Sequence, residues 1–133
     1  MALAIKYLHS YGIVHRDLKL ENIMMTDGSE EASAKIVDFG LAKIIGPTET
    51  ALEPFGTLGY VAPEVLKKDP YSFSCDLWSF GCIIYAMLSG CLPFDHEDNK
   101  EIRRMTLNDD VSFELALWKK ISKEAKDLIK GLL

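Results

Sequence analysis

Three short runs of this sequence hold side chains that could do chemistry together. Residues 15–22 read His15-Arg16-Asp17-Leu18-Lys19-Leu20-Glu21-Asn22, residues 38–40 read Asp38-Phe39-Gly40, and residues 62–64 read Ala62-Pro63-Glu64. Asp17 is a carboxylate able to take a proton, and Lys19 brings an ammonium two residues away. Asn22 and Asp38 add hard oxygen donors of the kind that hold a small divalent cation. Taken singly, each has a plainer reading: Asp17 as a solvated loop carboxylate, Thr57 as a turn hydroxyl. The interest lies in their order and spacing.

Those residues need elements to position them. Ile23-Met24-Met25 and Ala34-Lys35-Ile36-Val37 read as two short strands. The link from Thr26 to Ser33 contains Asp27-Gly28, a hairpin-type turn signal, so a hairpin separates Asn22 from Asp38. Upstream, Leu3, Ala4, Tyr7, Leu8 and Tyr11 recur at helical spacing, with Gly12 as a stop, and Ile13-Val14 is a fragment of strand. Residues 41–71 hold four of the five prolines and three glycines, which predicts a long irregular loop. Helix returns over about 74–89, with Ser74 as N-cap, Asp76 in the first turn and Gly90 as the stop. A short helix is expected from Asn99 to Met105 and another from Ser122 to Leu132, the latter with an acid in its first turn.

The chain has 133 residues, 48% of them hydrophobic and 26% charged, which excludes disorder as the default state. A net charge of -5 argues against a nucleic-acid partner. Cysteines stand at 75, 82 and 91, an odd count without metal spacing, which favours a reducing setting: the cytoplasm, or alternatively the nucleus. The start lacks the apolar core and cleavage site of a signal peptide. Leu77 to Phe94 carries no charge, but Ser79, Gly81, Ser89, Gly90 and Pro93 interrupt it. It reads as a buried core helix, and no membrane partner is expected.

The order H-R-D-L-x-x-x-N, then D-F-G, then A-P-E resembles the signature set of eukaryotic protein kinases, and the resemblance covers nearly the whole chain. It implies a mainly α fold within an α+β family. Residues 1–133 would form part of a kinase domain, its helical C-terminal lobe with a short β-hairpin, and the N-terminal lobe would be absent. It implies an enzyme that transfers phosphate from ATP to serine or threonine of protein substrates. Asp17, Lys19 and Asn22 would be catalytic, Asp17 orienting the hydroxyl and Lys19 steadying the phosphate. Asn22 and Asp38 would hold Mg²⁺, or Mn²⁺ in its place, with ATP resting on Asn22, Met24 and Asp38. Lys19 and the run Gly56-Thr57-Leu58-Gly59-Tyr60 match serine/threonine rather than tyrosine kinases. Thr57 would bond toward Asp17 and Lys19, in the surface that receives the residue following the phosphorylated one. His15 and Phe39 resemble two members of the family's regulatory spine, and Gly40 closes the D-F-G run. Asp76 resembles a helix anchor for the backbone at His15 and Arg16. Ile83 and Met87 would support Met24 as the floor under adenine. Glu64 normally pairs with a later arginine; none follows Arg104, so a buried and partnerless Glu64 is expected.

Asp38 to Glu64 would be the activation segment. Where many kinases carry a phosphate facing Arg16, this chain has Glu53, a carboxylate able to substitute in part. Thr48 and Thr50 are the remaining candidate phosphosites, with solvated loop threonines as the plainer reading. Residues 55–64 and 71–95 resemble the calcium/calmodulin-dependent group. Glu21 matches a position that contacts basic residues upstream of the target hydroxyl, while Ala86 stands where a second acid is usual. Asp95-x-Glu97-x-Asn99 begins like an EF-hand loop, but Lys100 and Thr106 replace its glycine and glutamate. No G-x-G-x-x-G exists, and Leu3-Ala4-Ile5-Lys6, an echo of V-A-I-K, sits in a helical stretch. The segment alone is therefore expected to be inactive and to expose apolar surface toward a missing lobe in cis. The alternatives are a non-catalytic interaction or scaffold module, and an incomplete gene product.

Overall fold

The computed structural model describes residues 1–133. In chain order the elements are α1 (Ala2–Ser10), β1 (Ile13–Val14), β2 (Ile23–Met25), β3 (Ala34–Ile36), β4 (Lys43–Ile44), α2 (Pro63–Lys67), α3 (Ser74–Ser89), α4 (Asn99–Asn108) and α5 (Lys123–Leu132). Single 3₁₀ turns lie at Leu20–Asn22 and Ala116–Lys120. The architecture is mainly helical, with two small antiparallel strand pairs.

α3 is the centre because it is apolar nearly all round. Its buried positions include Cys75, Asp76, Ser79, Cys82, Ile83 and Ala86, so successive turns all face protein. Three core clusters touch it. Cys75 joins Val14, Ile45, Val65 and Tyr71; Cys82 and Ile83 join Ile5, Leu18 and Tyr60; Tyr85 joins Trp118 and Ile129. α5 packs against α3 across Gly81, where a Cβ would lie 2.9 Å from the Leu132 Cβ. Gly90, at φ 77°, ends α3 in the left-handed conformation that favours glycine. No helix is long and apolar enough to cross a membrane.

The predicted hairpin forms, with Ile23 opposite Ile36 and Met25 opposite Ala34. Val37 lies outside β3, its N–H donating to the Asn22 carbonyl at 2.9 Å. Ser122 caps α5 by accepting from the Ala125 N–H.

Residues 41–71 are not the continuous loop their composition predicts. Lys43–Ile44 pairs with β1, Ala51 bridges to Tyr71, and Pro63 opens α2. A proline at the first helical position loses nothing, because that N–H has no partner inside the helix. β4 is too short to carry a pattern, and its partner lies about thirty residues upstream. Ser74 is also not the N-cap of α3: Phe73 is, and the Ser74 hydroxyl turns outward to Glu64. α4 runs on past Met105 to Asn108.

Filling the α3–α5 contact tests this packing. Gly81→Val forces Leu132 and Leu133 away from α3, and a loss of about 1–3 kcal/mol in urea unfolding is expected. An unchanged midpoint would show that α5 does not bear on α3 there.

Candidate active site

The site begins with one buried carboxylate. Asp76, in the first turn of α3, is 1% exposed. Its Oδ1 accepts the Arg16 N–H at 2.9 Å and its Oδ2 accepts the His15 N–H at 2.8 Å. The His9 Nε2 lies 2.9 Å from the same Oδ2. A buried charge is costly unless its lone pairs are met, and here three groups meet them. The loop after β1 is thereby tied to the central helix. Arg16 adopts φ 69°, a left-handed conformation rare for a residue with a Cβ, and the Asp76 bond to its N–H helps hold it there. His15 is fully buried, its Nε2 is 3.2 Å from the Val37 carbonyl, and its ring meets Phe39 edge-on at 5.0 Å.

Beyond that anchor, four side chains converge. The Thr57 hydroxyl donates to the Asp17 Oδ1 at 2.6 Å. The Lys19 ammonium donates to the Thr57 oxygen at 2.9 Å and lies 3.1 Å from the Asp17 Oδ2. The Asn22 amide donates to the Asp17 carbonyl at 2.9 Å. Burial pushes the Asp17 carboxyl up, but the bonds from Thr57 and Lys19 outweigh it, leaving it below its ordinary value. Asp17 is therefore an ionised, oriented acceptor at neutral pH. Gly56 lets Thr57 come this close: its φ is 130°, and a Cβ would lie 3.2 Å from the Arg16 carbonyl.

A second charged cluster sits under the segment that carries Thr57. The Arg16 guanidinium donates to Glu53 at 3.1 Å and to the Leu41 carbonyl at 2.6 Å, and it stacks over Phe55 at 4.9 Å. Lys43 donates to the other Glu53 oxygen at 2.8 Å, and the Tyr71 hydroxyl donates to the Glu53 carbonyl at 2.6 Å. The Lys43 bond, helped by the backbone N–H groups of Glu53 and Leu52, lowers the Glu53 carboxyl to about 2.

Asp38 stands at φ 60° across the hairpin from Asn22, exposed, with its Oδ1 accepting the Gly40 N–H at 3.1 Å. Its second oxygen makes no hydrogen bond. The amide nitrogen of Asn22 is committed to Asp17, which leaves its oxygen free. One carboxylate oxygen and one amide oxygen fit Mg²⁺, which keeps most of its shell for water and phosphate. No group of three or more His, Cys, Asp or Glu gathers into an all-protein cage.

A model of the protein kinase domain matches residues 1–133. The chain belongs to the protein kinase family. It is similar to calcium and calcium/calmodulin-dependent serine/threonine-protein kinases: 42% identical to that of Oryza sativa subsp. japonica and 41% to that of Lilium longiflorum, each over 133 residues. The relative from Pisum sativum is 41% identical over 126 residues, 95% of this chain. The chain spans about a quarter of the length of these curated relatives, 26%, 26% and 24% in turn.

Measured against the kinase pattern, one placement differs from expectation. Glu64 is half-buried and takes a hydrogen bond from Ser74 at 3.1 Å, so it is not an isolated buried charge. Ile83 packs into the core with Ile5, Leu18 and Tyr60, and Ile23, the neighbour of Met24 on β2, packs against that cluster. Ile84 lines an apolar trough with Leu20, Ile23, Met25 and Met87. Met24 itself is 58% exposed and points to the other face of β2. Lys6 is exposed on α1. Sequence reasoning missed Lys43, Tyr71 and His9. The usable signals were a cation five residues past Asp38 and a histidine six before His15.

The Glu53 cluster predicts an unusual titration. Because the carboxyl is lowered, its contribution is fully present above the ordinary value of 4.5 and is lost as pH falls toward about 2. Side-chain carboxyl NMR should find Glu53 titrating near 2, and Lys43→Ala should move the midpoint up toward 4.5. A midpoint that ignores Lys43 would remove the ammonium as the cause.

Proposed function

We propose that Asp17, Lys19, Asn22, Thr57 and Asp38 form the substrate-facing half of a phosphoryl-transfer site, acting on serine or threonine hydroxyls of proteins with ATP as donor. The observation that carries this reading is the Asp17–Thr57–Lys19 triangle, with contacts of 2.6, 2.9 and 3.1 Å. Asp17, ionised and held from behind by Asn22, orients an incoming hydroxyl and takes its proton as the new P–O bond forms. Lys19 lies where its charge can offset the growing negative charge on the transferred group. Thr57 pins the segment that would seat the peptide against Asp17. Asn22 and Asp38 would hold Mg²⁺, or Mn²⁺, which when bound neutralises phosphate charge. Met24, exposed beside Asn22, would meet the adenine ring from below. Glu53, already paired with Arg16 and Lys43, takes the place of an activating phosphate.

Residues 1–133 supply one lobe of the domain in this reading, and a nucleotide-covering lobe in cis would complete it. The apolar trough of Leu20, Met25 and Met87 fits a face that such a lobe covers. Burial pushes the Cys82 thiol up to about 12 and raises the Cys75 thiol as well, so neither is a reactive thiolate at neutral pH; three free cysteines fit a reducing cytoplasm.

In a full-length kinase carrying these residues, Asp17→Ala should lower phosphate transfer to a basic peptide about a thousandfold. Glu53→Ala should also reduce it; unchanged activity would remove Glu53 as the stand-in for phosphate. The isolated chain should transfer no more than its own Asp17→Ala control, and clear transfer would overturn the one-lobe reading.

A further inference from the structure

Tyr71 lies just ahead of α3, 3% exposed, in the core cluster that holds Val14, Ala51, Val65 and Cys75. A phenylalanine ring would fill that place as well, so packing does not explain the buried hydroxyl. The hydroxyl makes two contacts. It donates to the Glu53 carbonyl at 2.6 Å and accepts from the Arg16 guanidinium at 3.4 Å. Burial raises the phenol above its ordinary value, so at neutral pH it keeps the proton it donates. The Tyr71 backbone is engaged too, exchanging hydrogen bonds with Ala51 at 2.8 and 3.0 Å.

The carbonyl that Tyr71 holds belongs to a bend. The Glu53 oxygen also accepts the Phe55 N–H at 2.8 Å, which closes a three-residue turn about Pro54. Both lone pairs of that oxygen are then occupied. The turn sends the chain past Phe55, whose ring meets the Arg16 guanidinium, through Gly56 to Thr57. A void of only about 10 Å³ lies among Tyr71, Arg16 and Phe55, no more than one water needs. Without the hydroxyl, the bend has no second donor on its buried side.

We infer that the Tyr71 hydroxyl is a positioning group for the reaction: acting through the Glu53 bend, it sets Thr57 at hydrogen-bond distance from Asp17. The inference rests on the phosphoryl-transfer reading above. The Glu53 ion pairs grip a half-exposed side chain, which can turn in solvent. The phenol grips the backbone from the core side. Losing it lets residues 54–57 shift and lengthens the Thr57–Asp17 bond. That change has its own signature, because burial pushes the Asp17 carboxyl up while the bond from Thr57, ahead of that from Lys19, pulls it below its ordinary value.

The test reads the Asp17 titration in the 133-residue chain by side-chain carboxyl NMR. Tyr71→Phe, which keeps the ring and drops the hydroxyl, should raise the Asp17 midpoint toward the ordinary 3.8. Thr57→Val should raise it by itself, and adding Tyr71→Phe to Thr57→Val should raise it no further. Tyr85→Phe drops another buried hydroxyl, bonded to the Ser112 carbonyl at 2.9 Å in a different cluster, and should leave Asp17 where it is. In the full-length kinase, Tyr71→Phe should lower kcat about tenfold with the KM for ATP unchanged. The inference is overturned by an Asp17 midpoint that ignores Tyr71→Phe, by an equal response to Tyr85→Phe, by additive shifts with Thr57→Val, or by an active kinase indifferent to Tyr71→Phe. Loss of helical circular dichroism in Tyr71→Phe also counts against it, because the hydroxyl would then hold the core rather than the site. A wild-type full-length kinase that transfers no phosphate while the Asp17 shift is present counts against the phosphoryl-transfer reading alone.

Discussion

The Asp76 carboxylate is the constraint on which the rest depends. Burying a charge costs several kcal/mol unless its hydrogen-bonding capacity is met. Here it is met by the backbone N–H groups of His15 and Arg16 and by the His9 ring. Because the carboxylate rides on the first turn of the most buried helix, the loop it grips inherits that helix's rigidity. Asp17 is the next residue along. Its position is therefore set less by its own contacts than by an acid about sixty residues away in sequence.

Arg16 then passes order outward. Its N–H belongs to Asp76, while its guanidinium reaches Leu41, Glu53 and Phe55. One residue thus ties the rigid loop to the segment that carries Thr57. Glu53 is the receiving end, and its second oxygen goes to Lys43 on β4. Exposed ion pairs contribute little singly. This group is a network, with Tyr71 bonding the Glu53 backbone from below, and its effect is to fix geometry rather than to add stability. Thr57 arrives at 2.6 Å from Asp17 because both ends of the connection are held.

The polarity of the surface follows the same logic. The chain is acidic overall, and most of its cations are paired or scattered. The pairs that bear on the site are Lys19 at Asp17 and Arg16 and Lys43 at Glu53. In each case a positive side chain faces a carboxylate held in place by further hydrogen bonds.

Much was legible from the sequence alone. The H-R-D-L-x-x-x-N, D-F-G and A-P-E runs, in that order, resemble the family's signature set and so pointed to it, and the oxygen donors within them are local chemistry. The hairpin, α3 and α5 were legible for the same reason: hydrophobic period, turn residues and the Ser122 cap act within a few residues. What the sequence could not decide was every contact made across a long separation. β4 is two residues long and exists only because β1 is there to pair with it. Ser74 reads as a cap until Glu64 takes its hydroxyl. Ile83 and Ile84 cannot be told apart by composition, and only the packing of α3 against Ile5 and Leu18 sends one to the core and the other to the trough. The sequence determined which groups could react. Tertiary structure decided which of them meet, because hydrogen bonds and packing act over a few ångströms of space and are indifferent to distance along the chain.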